Sequence, residues 1–220
     1  MKSTFLVAGT MLLASAIFIS CKKDNTNTGI MYQLKVINPL ATIARVAGGT
    51  IQWSSGYAWA TEIKFEAKKS NNEEVEYKTQ ALQKVNIFIP AISLGSISLP
   101  EGTYKEIEFK IETAPNGADA AFLLNGTYTN GGVTTPVVFK VTAPLEVKTE
   151  KENFTITAGT NYTAITSFDL SLLSQGITEV MLNNATRTNG TIEISATSNT
   201  NLYNILIDRL DDCDGIEIDD

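Results

Sequence analysis

From Met31 onward the chain alternates apolar and polar residues with a period of two, the pattern of strands that bury one face. In residues 61–68, Ile63, Phe65 and Ala67 fall on one side and Glu62, Lys64, Glu66 and Lys68 on the other. Residues 104–111 repeat the arrangement, with Ile107, Phe109 and Ile111 opposed to Glu106, Glu108 and Lys110. Strands of this kind belong to antiparallel sheets that face water on one side. Further strands are predicted at 31–37, 50–54, 73–79, 84–89, 95–99, 120–128, 133–141, 144–149, 153–157 and 162–168. Turn clusters such as Pro115-Asn116-Gly117 and Asn130-Gly131-Gly132 separate them. Many short strands at this spacing predict a mainly β fold, an antiparallel β-sandwich. Within Leu99-Pro100-Glu101-Gly102-Thr103-Tyr104 the chain reverses sharply into a strand, which places Tyr104 to close a corner of that sandwich.

After Phe168 the period changes. Asp169 is positioned to cap a short helix through Leu170, Leu172 and Leu173 that ends at Gly176, and 177–185 reads as a second short helix. Residues 191–194 return to extended chain. Ser198 or Asn199 then opens a last helix with Leu202, Leu206 and Leu210 at i, i+4 and i+8. The organisation predicted is a sandwich over 30–168, a helical and extended C-terminal part of the same domain over 169–212, and a loosely folded acidic tail over 213–220.

The N-terminal pattern is different. Lys2 precedes an uncharged, largely apolar run from Phe5 to Ile19, followed by Ser20 and Cys21. A basic start, an apolar middle and a small residue at the cut describe a secretory signal over 1–20. As a helix the run would extend about 22 Å, short of the roughly 30 Å of a hydrocarbon core. Phe18-Ile19-Ser20-Cys21 looks like a bacterial lipobox, in which Cys21 is acylated and becomes the N-terminus. Residues 21–29 are polar and read as a flexible tether between lipid and domain.

Charge and composition then narrow the function. Removing Lys2 from the 17 Lys+Arg leaves 16 against 24 Asp+Glu, a net charge of −8. Nucleic-acid binding needs a basic stripe, so no nucleic-acid partner is expected, and membrane attachment falls to the lipid rather than to charge. The chain contains no His, which removes the commonest general base, the usual zinc sites and His-dependent nucleophiles. With Cys21 acylated, Cys213 has no partner in the chain and reads as a small apolar filler or a reactive thiol. No enzyme activity, cofactor or metal is expected.

Four constellations carry alternatives. Trp53, Tyr57 and Trp59 lie within seven residues around Gly56. They read either as a turn presenting aromatic platforms to a sugar, or as core residues of two strands joined by a hairpin at Gly56. The carboxylates Glu106 and Glu108, and Glu73, Glu74 and Glu76, sit beside lysines or in a turn and read as solvated faces rather than a glycosidase pair. Asp212-Cys213-Asp214-Gly215 resembles part of a calcium loop, but in the EF-hand pattern Leu210 occupies the first ligand position and the twelfth lies past Asp220. Arg45 lies between two predicted strands. There it invites a fimbrial reading, in which cleavage frees a groove for a neighbour's strand.

The lipobox followed by Lys22-Lys23-Asp24, the Leu99–Ile107 turn and strand, and Ser167-Phe168-Asp169-Leu170-Ser171-Leu172-Leu173 together resemble uncharacterised lipoproteins of the Bacteroidota. These sit near domain-of-unknown-function families with a Greek-key, transthyretin-like β-sandwich. The resemblance implies lipid anchoring at the outer membrane and supplies no catalytic or ligand residues. Lys22-Lys23-Asp24 partly matches a surface-display signal, so periplasmic and surface faces both stand. The expected role is non-catalytic binding, adhesion or assembly, with a glycan-binding accessory lipoprotein of a polysaccharide-uptake system or a fimbrial subunit as alternatives.

Overall fold

The computed structural model describes residues 28–37, 40–42, 49–71, 73–89, 92–210 and 214–219. The signal, Cys21, most of the tether, Arg45 and Cys213 lie outside the described residues. Among the described residues ten strands precede the first helix: β1 (Thr28–Ile37), β2 (Leu40–Thr42), β3 (Thr50–Lys69), β4 (Glu74–Asn86), β5 (Ile92–Leu99), β6 (Gly102–Thr113), β7 (Phe122–Asn130), β8 (Val133–Val141), β9 (Leu145–Ile156) and β10 (Tyr162–Asp169). There follow α1 (Leu170–Leu173), α2 (Glu179–Asn183), β11 (Arg187–Thr188), β12 (Thr191–Ile194), α3 (Thr200–Leu210) and β13 (Asp214–Asp219). Among the described residues no helix is long and apolar enough to cross a membrane.

The fold is mainly β and sandwich-like. One sheet has the order β13-β10-β1-β5; the other runs β11-β12-β8-β7-β3-β6-β9, with β2 and β4 also paired to β3. Most pairings are antiparallel, as the alternation predicts, but β1 with β10 and β12 with β8 are parallel. The sheets meet through aromatic side chains. Tyr32 of β1 stacks on Phe109 of β6 with centroids 4.2 Å apart, and Phe168 of β10 meets Phe122 of β7 at 5.9 Å. Such pairs add directional attraction to a large buried apolar area. Tyr104 closes the corner read from the sequence: it is fully buried, and its hydroxyl donates to the carbonyl of Pro100 at 2.8 Å.

β3 organises the larger sheet. At 20 residues it is one strand where a hairpin at Gly56 is predicted. One edge pairs with β2 and then β4; the other pairs with β7 over its first half and β6 over its second. Gly56 serves close approach rather than a turn, because a Cβ there would lie 2.6 Å from the Leu123 carbonyl and 2.6 Å from Leu124 Cδ2. Likewise, the strands predicted at 73–79 and 84–89 are one continuous β4, and those at 144–149 and 153–157 one continuous β9.

The C-terminal helices follow the sequence. Asp169 caps α1 by accepting the Ser171 N–H at 2.8 Å, and Thr178 caps α2. The residues α3 buries are Leu202, Leu206 and Leu210, the predicted stripe. The tail departs from expectation. Asp214–Asp219 forms a strand along β10, with Ile218 half-buried against the core, so its apolar alternation outweighs its acidity.

Candidate functional site

Two irregularities in β3 decide where its aromatic residues point. The register shifts between Trp53 and Ser55 against β7, and again between Ala60 and Glu62 against β4 and β6. Each shift moves the strand's inward set by one residue. Ile51 and Trp53 point inward before the first shift, Gly56, Ala58 and Ala60 between the two, and Ile63, Phe65 and Ala67 after the second. Tyr57 and Trp59 therefore turn to the outer face and are only half-buried. Trp53 is 1 % exposed and belongs to the core, which removes it from the candidate platform.

Around the two outward rings the fold gathers a carboxylate and an ammonium. Lys84 of β4 sits directly opposite Trp59 in register. Asp119 arrives from the turn between β6 and β7, where the edge of β3 passes from one partner to the other. Its carboxylate accepts from the Tyr57 hydroxyl at 3.3 Å, from the Trp59 indole N–H at 3.1 Å and from the Lys84 ammonium at 2.9 Å. The ammonium lies 3.9 Å from the Tyr57 ring centroid and 5.9 Å from that of Trp59, within reach of both π faces. The backbone pins the same point: Trp59 N–H donates to the Ala121 carbonyl at 2.8 Å, and Ala114 N–H to the Trp59 carbonyl at 3.2 Å. Hydrogen bonds from Lys84 and Trp59 hold the Asp119 carboxyl below its ordinary range, whereas burial pushes the Tyr57 hydroxyl up.

Sequence reasoning singled out Tyr57 and Trp59 and missed Asp119 and Lys84. Their contacts span 60 and 35 positions and become neighbours only through the β3–β4 register and the β6–β7 turn. The site offers a partly exposed indole and hydrogen-bonding groups of both polarities on a strand paired along both edges.

The carboxylates of the outer face form a lattice with lysines, and Glu66, Glu74, Glu76, Glu106 and Glu108 of it line a cavity of about 350 Å³. Lys78, Lys64, Lys110 and Lys148 stand in register across β4, β3, β6 and β9, beside a parallel row of Glu76, Glu66, Glu108 and Glu150. Like charges directly opposite repel, and the ion pairs between the rows offset that repulsion. Glu108 is the exception to the solvated face predicted for it, being only 6 % exposed. Lys110 lies 2.7 Å from its Oε1 and Lys148 2.5 Å from its Oε2. Burial raises the Glu108 pKa, but the two lysines outweigh it and leave the carboxyl below its ordinary range. Glu106, Glu108 and Glu150 each bring a carboxylate oxygen within 4.8 Å of the others, and the same lysines already neutralise Glu108. Of the calcium-like Asp212–Gly215 stretch, Asp212 and Cys213 fall outside the described residues, and Asp214 and Gly215 begin β13 along β10.

No protein-family model, curated protein or solved structure matches this chain.

Proposed function

We propose that this chain is a lipid-anchored protein of the bacterial outer membrane, whose sandwich acts as a non-catalytic binding module of the cell envelope. Cys21, at the end of the lipobox-like Phe18-Ile19-Ser20-Cys21, is the lipid attachment site in this reading, and the membrane is reached through the lipid alone. The observation that carries the binding role is the outward turn of Tyr57 and Trp59 beside Asp119 and Lys84. Bulges that re-aim side chains recur at functional sites, and here two of them bracket the two aromatic residues. A chain without His, whose buried carboxylate is held by two lysines, supports binding over catalysis.

A photo-crosslinking amino acid at position 57 in the full chain, expressed in its own envelope, tests the reading. Covalent capture of a discrete envelope component from position 57, but not from position 64 on the charged lattice, is the expected result. Equal or absent capture at both positions contradicts it. The glycan-binding alternative gains from the same outward turn and is developed below. The fimbrial alternative rests on Arg45, outside the described residues.

A further inference from the structure

We infer that the outer face of Trp59, with Asp119 and Lys84 at its rim, is a carbohydrate site that takes a pyranose ring of a neutral glycan. The inference rests on the binding face proposed above and names its ligand class.

Three features of the site lead to it. First, the Lys84 ammonium lies over the Tyr57 ring at 3.9 Å and only at 5.9 Å from that of Trp59, so the indole is the less occupied of the two stacking surfaces. The C–H face of a pyranose is apolar and faintly positive, which suits the negative face of an aromatic ring. Second, the rim supplies what sugar hydroxyls need. Asp119 is a charged acceptor and Lys84 a donor with more N–H groups than its one Asp119 bond uses. Both are fixed by contacts to each other and to the two rings, so little ordering entropy is lost on binding. Third, Asp119 and Lys84 cancel in charge, while the chain as a whole is −7. An anionic glycan would meet net repulsion and a neutral one would not.

A latch that only fastened the β6–β7 turn to β4 would need Asp119 and Lys84 alone. An indole at position 59 adds apolar surface turned toward water, bracketed by two bulges that put it there.

The test uses the full chain in detergent with Trp53→Phe, so that Trp59 is the single indole. Cellohexaose, xylohexaose, mannohexaose and maltohexaose, with hexagalacturonate as the anionic control, are titrated to about 10 mM, beyond the weak end of single-site affinity. The expected result is a saturable change in Trp59 emission with at least one neutral hexasaccharide and none with the anionic one. Calorimetry should then show affinity about tenfold weaker in Asp119→Asn and undetectable in Trp59→Ala, with partial retention in Trp59→Phe, each variant being checked as folded by circular dichroism at the titration temperature. Absence of any neutral-saccharide response, or binding that survives Trp59→Ala, overturns the inference. If position 57 nonetheless crosslinks an envelope protein, the carbohydrate class fails while the binding face stands. If neither signal appears, both fail.

Discussion

The indole N–H of Trp59 donates to Asp119 Oδ2 at 3.1 Å across 60 positions of sequence, tying the β6–β7 turn to the centre of the longest strand. The bond exists because the register shift after Trp53 turns odd-numbered residues outward just where that turn crosses β3. Asp119 is thereby both the anchor of the turn and the rim of the candidate site.

That geometry sets a pH dependence. Asp119 has a depressed pKa when folded, so its contribution is present above the ordinary aspartate value and lost as pH falls through the folded value. The Trp59 indole proton resonance should therefore titrate with a midpoint below about 3.9, the ordinary aspartate pKa. A midpoint at or above that value contradicts the network.

The buried Glu108 makes a similar prediction in the charged lattice of the outer face. Glu108→Gln removes the carboxylate that pairs with both Lys110 and Lys148 and should destabilise the fold by about 1.5–3 kcal/mol, the range for hydrogen bonds to charged groups. Because the Glu108 carboxyl is held below its ordinary range, wild-type stability should fall as pH drops through that folded value, and the variant should lose this component of the dependence. Urea unfolding at neutral and acidic pH measures both. Equal pH dependence in the two proteins would rule the lattice out as its source.

Gly126 tests how closely β7 packs on β3. A Cβ there would lie 2.4 Å from the Gln52 carbonyl oxygen and 2.9 Å from the Trp53 ring. Gly126→Ala should cost about 1–3 kcal/mol or more by overpacking. Gly131, in a turn with open space but φ +56°, should cost only about 1 kcal/mol as Ala. Thermal melts of the two variants give the comparison, and a reversed order would contradict the β3–β7 packing.

Lipidation is a separate prediction. Cys21→Ser should abolish incorporation of a fatty-acid analogue and release the protein from the membrane fraction. Retained label and retained partitioning would contradict the address.

Much of this fold is legible in the chain. Ile63, Phe65 and Ala67 face the core as their alternation requires, Asp169 caps α1, and Leu202, Leu206 and Leu210 form the buried stripe of α3. The misreading at β3 has one cause. A bulge changes the parity of a strand without any marker in composition, so Tyr57 and Trp59 read as continuing the inward set of Ile51 and Trp53, with Gly56 mistaken for a hairpin. Asp119 and Lys84 were illegible for a different reason, since their partners lie on other strands and no local spacing joins them. Glu108 shows the limit of reading charge as exposure: its place on a polar face is correct, but neighbouring lysines cover it.

The opposed environments of the two tryptophans test the account most directly. In Trp53→Phe the remaining indole is Trp59, half-exposed and bound to Asp119; in Trp59→Phe it is Trp53, sealed in the core. Acrylamide quenching of each folded variant should give red-shifted, quenchable emission from Trp59 and blue-shifted, protected emission from Trp53. Equal protection of both indoles would mean that Trp59 points inward, and the proposed binding face would be lost with it.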